Sequence, residues 1–430
     1  MSGVLDKRAP SAPGRDGSGR RRMDRSDRNT AVLVGFTAIT NLADGVTKVV
    51  LPLMATQLTD SPAQVAGVGL TLTLPWLLVA LHVGVLVDRF DRRLLLWLAD
   101  GARMLVVAAL LVLTLQDSIS LTSLYVGGLV LGVAEVVALT SAATLVPAAV
   151  AREGQERANA WVAGAETACN EFCGPFIGGL LVAAGSSVAL GWTGAGYVIG
   201  TLILVFLVGR FRPERDTSRP AGTVNQRIAE GLRFLWGQRL LRLMALALTV
   251  LSSCWGAWLA LMPLMATSVM GLDAREYGIL LSALGAGGLI GAVSVTTVNR
   301  LLGRRWSMFA DLIGTALMVA APVFTTNLWV VAASAFLGGM GGILWTVNSR
   351  TISQRLVDDS MFGRYNAAAR LFSWGAMPLG AGLVGLLAEF FGMRAAFSVF
   401  AVATLLIMVP FLRTVTPRAL AEVDAASARN

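Results

Sequence analysis

Residues 84–93 read Gly84-Val85-Leu86-Val87-Asp88-Arg89-Phe90-Asp91-Arg92-Arg93, and they join two apolar runs at 64–87 and 94–115. Each run is long enough to cross a bilayer, which takes about 20 mostly apolar residues. Charge packed into so short a link marks a turn at a membrane surface. A weaker copy, Asn299-Arg300-Leu301-Leu302-Gly303-Arg304-Arg305, again lies between two apolar runs. The copy makes the chain a duplicated helical membrane protein.

Composition agrees. Of 430 residues, 55% are hydrophobic and only 14% charged, and the mean hydropathy is +0.68. A soluble protein would carry roughly 25% charged residues, so soluble multidomain readings are excluded. The net charge of +9 concerns topology. Lys and Arg concentrate in 1–30, 88–93, 147–157, 210–242, 299–305, 350–370 and 413–430, whereas Arg275 and Arg394 alone occupy links on the other side. Alternate links are basic, as the positive-inside rule requires with both termini in the cytoplasm. No nucleic-acid partner is expected. Three cysteines and one histidine, without an HExxH, GxSxG or P-loop pattern, leave no metal site, no cofactor and no enzyme to propose.

Twelve apolar segments follow one another at 31–57, 64–87, 94–115, 121–146, 157–185, 188–209, 241–267, 276–298, 306–326, 328–350, 366–389 and 394–413. The organisation expected is a disordered basic tail (1–30), a six-helix bundle (31–209), a linker (210–240), a second six-helix bundle (241–413) and a tail (414–430). Within the linker, residues 225–236 have the pattern of an amphipathic helix lying on the membrane.

The halves are related by sequence. Pro52-Leu53-Met54-Ala55-Thr56 recurs letter for letter as Pro263-Leu264-Met265-Ala266-Thr267, at an offset of 211. At that offset Asp88-Arg89 meets Asn299-Arg300 and Asp100 meets Asp311, while Asn159-Ala160 is echoed by Asn366-Ala367 at 207. The fold expected is all-α, with twelve transmembrane helices in two pseudo-symmetric six-helix bundles and a cavity between them opened to each side in turn.

Charges inside spanning helices cost about 2.5–3.5 kcal/mol each on the insertion scale, so they are functional candidates. The first segment carries Asp44 and Lys48 on one face, with Asn41 a turn earlier as a cavity residue. Lys48 is one of only two lysines, and an Asp44–Lys48 pair is the expected arrangement. Glu135, flanked by Val133, Ala134 and Val136, is the first choice for a proton carrier, because a desolvated carboxyl is easier to protonate. Glu166 and Glu171 of the fifth segment follow. Asp100 and Arg103 are expected to form a latch tied to the link at 88–93. Trp255 and Trp258 stand where the first half has Asp44 and Thr47, and either cavity wall or packing fits them. Pro175, within Gly174-Pro175-Phe176-Ile177-Gly178-Gly179, leaves the Glu171 carbonyl without its helical partner.

These motifs together resemble the major facilitator superfamily over 31–413. The link resembles that family's G-x-L-x-D-R-x-G-R-R signature, with Asp91 in place of the usual glycine. The resemblance implies that Gly84 admits the eleventh helix, that Asp88 meets its start, and that Arg89, Arg92 and Arg93 complete a gate. The 174–179 motif, through Gly174, Pro175, Gly178 and Gly179, resembles the fifth-helix motif of proton-coupled antiporters. Leu51-Pro52-Leu53 followed by Leu58-Thr59, the acid in the fourth segment, Arg157-Ala158-Asn159-Ala160, and the linker phrase at 228–235 resemble bacterial exporters of macrolides, other drugs and siderophores. The resemblance implies a monomeric inner-membrane exporter that exchanges protons for an amphipathic small molecule. An uptake symporter, a lipid flippase or a non-transporting sensor stay open as alternatives.

Overall fold

The computed structural model describes residues 18–87, 89–209, 211 and 224–427, and among these there is no strand. The helices are α1 (Ser18–Thr56), α2 (Pro62–Leu78), α3 (Ala80–Val87), α4 (Arg92–Leu115), α5 (Leu121–Ala149), α6 (Gln155–Glu166), α7 (Gly174–Ala184), α8 (Ser186–Leu204), α9 (Val224–Gly237), α10 (Arg239–Leu264), α11 (Ala274–Phe324), α12 (Leu328–Leu356), α13 (Asp359–Ser373), α14 (Ala376–Phe391), α15 (Met393–Thr414) and α16 (Pro417–Ser427). Among the described residues, ten helices are long and apolar enough to cross a membrane. One of them, α11, is two spans joined at Gly303, whose φ of 76° only glycine adopts without strain. With the shorter apolar α2, the described residues accommodate twelve passes in the major facilitator arrangement. Large apolar side chains such as Leu105, Val293, Phe324 and Leu406 are exposed on the outside, where lipid would cover them.

Local chemistry sets the helix ends. Ser61 accepts from Gln64 N at the start of α2, followed by Pro62, which suits a first-turn position. Asp91 caps α4, its side chain accepting from Arg93 N and Leu94 N. The residue that departs from the family pattern therefore starts a helix. Asp273 and Glu276 form a capping box on α11.

The fifth pass is continuous but not uniformly α-helical. Between α6 and α7 lies a π-turn, Thr167–Cys173, immediately before Pro175. A proline cannot donate to the carbonyl four residues back, and widening the preceding turn shifts the register around it. The same stretch crosses α1 at backbone contact. A Cβ on Gly174 would lie 2.8 Å from Gly45 Cα, and one on Gly45 would lie 2.6 Å from Asn170 O.

One expectation changes, and the linker and the last stretch gain detail. Residues 18–30 belong to α1. Asn29 Nδ2 donates to Ala149 O (2.9 Å) and Val208 O (3.0 Å), capping carbonyls at the ends of α5 and the sixth pass, and Ser26 Oγ accepts from Ala151 N (3.1 Å). The helix expected in the linker is α9, and it packs on α13: Leu235 is buried with Tyr365, and Trp236 is 5.9 Å from Phe372. The last stretch forms α16, which packs on α12.

The two halves meet at the face opposite the chain ends. Gly179 of α7 sits where a Cβ would come within 2.9 Å of Gly278 Cα in α11. A Cβ on Gly385 of α14 would reach Ala66 of α2 at 2.8 Å. Glu389 at the end of α14 accepts from Ser61 Oγ (2.7 Å) and Ala63 N (3.2 Å) at the N-terminus of α2, where the helix dipole favours an anion. The space on the side of the chain ends is left to a cavity.

Candidate functional site

That cavity holds about 470 Å³ and lies almost wholly against the first half. Phe36, Thr37, Thr40, Asn41 and Asp44 of α1 line it, with Arg103 of α4, the 138–146 stretch of α5, and Asn159 and Glu166 of α6. Arg350 of α12 reaches it from the second half.

Its floor is a buried charge cluster. Arg103, 1% exposed, donates to Asp100 Oδ1 and to Asp44 Oδ2, each at 3.0 Å. Tyr197 of α8 donates to Asp44 Oδ1 at 2.8 Å, and the guanidinium lies 5.3 Å from the Tyr197 ring centre. Desolvating ions costs several kcal/mol apiece, and such a cluster survives only when its hydrogen bonds are well made. Two carboxylates share one guanidinium here. The cluster therefore carries an excess negative charge unless one carboxyl holds a proton. Asp100 is sealed, whereas Asp44 lines the cavity, so Asp44 is the member within reach of solvent.

A second cluster lies one turn along α1. Lys48 Nζ donates to Asn170 Oδ1 at 2.7 Å and stands 3.6 Å from Glu135 Oε1. Asn170 Nδ2 donates to Asn41 Oδ1 at 3.0 Å, and Asn41 Nδ2 to Thr37 O at 2.9 Å. The expected Asp44–Lys48 pairing gives way to Asp44–Arg103 and Lys48–Glu135. The Gly45–Gly174 contact explains this, because it brings Asn170 and its neighbours against α1 between those two side chains. The expected latch takes another form: Arg103 binds both Asp100 and Asp44, and among the described residues neither Asp100 nor Arg103 is bonded to the 88–93 link.

The link itself is tied within the first half. Arg92 donates to Thr144 O (3.0 Å) and Arg93 to Val205 O (3.2 Å), with Arg93 over Trp97 at 4.7 Å. Arg89 is exposed. A Cβ on Gly84 would meet nothing within 4 Å among the described residues. Asp88 lies outside the described residues, as does the Glu171 side chain. The 174–179 motif divides its work: Gly174 and Gly178 meet α1, and Gly179 meets α11.

Of the two tryptophans, Trp258 is fully buried in the apolar core and is packing, not cavity wall. Trp255 is half-buried, and a Cβ on Gly342 of α12 would come 3.2 Å from its ring. Sequence reasoning overlooked Asn170, Tyr197 and Arg350. An asparagine between two cysteines in an apolar run, and a tyrosine amid small residues, were the available signals. Arg350 was hidden in a basic link.

A family model for a transmembrane secretion effector matches residues 29–430. The multidrug efflux pump Tap of Mycolicibacterium fortuitum is 28% identical over 416 residues, covering 94% of this chain and 100% of the relative. The enterobactin exporter EntS of Salmonella choleraesuis (strain SC-B67) is 28% identical over 359 residues, covering 82% and 83%. Among solved structures, a bacterial homologue of the iron transporter ferroportin in its inward-facing state superimposes with a TM-score of 0.70 at 18% identity, covering 90% of this chain and 98% of that one.

Proposed function

We infer, from the premise that this chain belongs to the transmembrane secretion effector family of the major facilitator superfamily, that it exports an amphipathic small molecule across the inner membrane in exchange for protons. The observation that carries the reading is the Lys48–Glu135–Asn170 cluster beside a cavity floored by Asp44 and Arg103. Holding Asp44, Glu135 and Lys48 within the membrane is costly, and a cavity that admits solvent is where such groups exchange protons. Drug and siderophore exporters among the relatives support the direction and the substrate class. The basic residues that gather on the side of the chain ends support a cytoplasmic location for both termini.

In this mechanism, the open side of the cavity faces the cytoplasm in the state described. Substrate enters as Glu135 gives up its proton and re-forms its ion pair with Lys48. The halves then rock, closing over the substrate and parting at the Glu389–Ser61 contact. On the far side a proton returns to Glu135, the pair with Lys48 loosens, and Asn170 keeps hold of the ammonium. Asp44 is the second proton site, with Tyr197 and Arg103 holding its carboxylate when it is empty. Glu166, on the cavity wall, and Glu171 are the remaining candidates for proton passage. The chain works as a monomer, each copy carrying a complete cavity.

Proton flux in inside-out vesicles with an acid interior tests the reading. A panel of lipophilic drugs and siderophore-like compounds should include one that dissipates the gradient in wild type but not in Glu135→Gln. Dissipation that survives Glu135→Gln would remove Glu135 as the carrier. A folded, inserted protein that no compound engages would overturn export itself.

A further inference from the structure

The cavity's charged groups are not equally committed. Arg103 is bound to two carboxylates, and Asp44 to Arg103 and Tyr197. Arg350 also lines the cavity and is exposed, yet among the described residues it makes no hydrogen bond or ion pair. Its orientation is built into α12. Trp345, Asn348 and Ile352 face the second half's own core, and Asn348 Nδ2 donates to Asn299 Oδ1 at 3.0 Å, fixing the rotation of the helix. Arg350 follows Thr346 and Gly342 at intervals of four along a different face. Thr346 is exposed, and Trp255 rests against Gly342. The eight residues from Gly342 to Arg350 span about 12 Å of helix. The second half thus places a guanidinium on the cavity wall and, about 12 Å along α12, a half-buried indole beside Gly342, next to the residues that line the cavity.

We propose that Arg350 and Trp255 recognise an amphipathic anion, the guanidinium taking its carboxylate or other anionic group and the indole its apolar body. The inference rests on the export reading and narrows its substrate class. A guanidinium offers two parallel donors to a carboxylate, which an ammonium cannot reproduce. Asn41 and Asn159, across the cavity, supply neutral polar partners.

The test uses the full chain in vesicles with an imposed proton gradient and two fluorescent probes, a naphthalene ring bearing a carboxylate and the same ring bearing a quaternary ammonium. Wild type should carry the carboxylate. Arg350→Gln should raise KM for it by about tenfold or more with kcat nearly kept, the signature of lost binding common to ground and transition states. Arg350→Lys should recover part of that loss, and Trp255→Leu should raise KM without altering the preference for anions. Elution profiles check that each variant is folded. Equal loss of kcat for every substrate in Arg350→Gln would make the residue a gate and overturn the proposal, as would no change in KM. Transport of the ammonium probe alone would overturn it while leaving export standing. Transport of neither, with no drug of the wider panel moving protons, would overturn both.

Discussion

At positions 44 and 103 the first half holds an aspartate and an arginine 3.0 Å apart. At the same repeat offset the second half holds Trp255 and Gly314. Asp100 and its counterpart Asp311 are both buried, but Asp100 binds Arg103, whereas Asp311 accepts from Thr315 and has no cation partner among the described residues. Where Arg103 reaches from α4 to α1 and α8, Gly314 lets the α12 backbone close in: a Cβ there would lie 2.5 Å from Leu337 O, and one on Gly341 would lie 2.6 Å from Asp311 Cα. One half is held at this level by charge and the other by backbone contact. Duplication copied the scaffold, and the chemistry then settled on one side of it. A half whose charge state changes can rock against a half whose packing does not.

The largest effect expected from breaking this contrast is on Arg103. Arg103→Gln leaves two carboxylates buried together, and losing one partner of a buried ion pair costs about 3–5 kcal/mol. Thermal unfolding of the purified protein should show a large drop in Tm. A loss below about 1 kcal/mol, the size of an exposed pair, would mean that charge does not hold the first half.

Gly314→Ala probes the other side. Overpacking a close contact costs about 1–3 kcal/mol, and substrate-driven proton release should persist in whatever protein remains folded. Proton release lost in step with a normal Tm would show that the second half does more than hold shape.

Lys48→Met reverses that pattern. Its side chain is 36% exposed, so stability should fall by no more than about 1 kcal/mol, while proton release in response to substrate disappears. Retained coupling would move the proton site to Asp44.

Glu389→Gln should have the smallest effect on stability, its carboxylate being exposed, yet it loosens a contact between the halves on the far face. A cysteine at Ser282, at the other seam between the halves, where its hydroxyl donates to Phe172 O, should be alkylated faster from the far side in this variant, in a background with Cys169, Cys173 and Cys254 replaced. An unchanged labelling rate would show that the glycine contacts hold that face without Glu389.

Much of this was legible in the chain. Apolar run lengths, the basic links and the repeated Pro-Leu-Met-Ala-Thr reveal the passes and the duplication, and the same reading finds Asp44, Lys48, Asp100, Arg103 and Glu135. The pairing was not legible. Asp44 and Lys48, four apart on one helix, invite each other on paper, and only the crossing at Gly45 and Gly174 separates them. Trp255 and Trp258 look alike in the sequence, but Trp258 points into the core. Arg350 reads as one more basic residue near a link until α12 is rotated by Asn348.

The sequence by itself determined which segments enter the membrane and which residues there carry charge, because both follow from local transfer free energies that each stretch brings with it. The tertiary structure alone decided which charges meet and which residues face the cavity. Those depend on helix rotations and crossings fixed by close contacts between stretches far apart in the chain. Where a glycine lets two backbones touch, displacement by a few ångströms exchanges one ion pair for another.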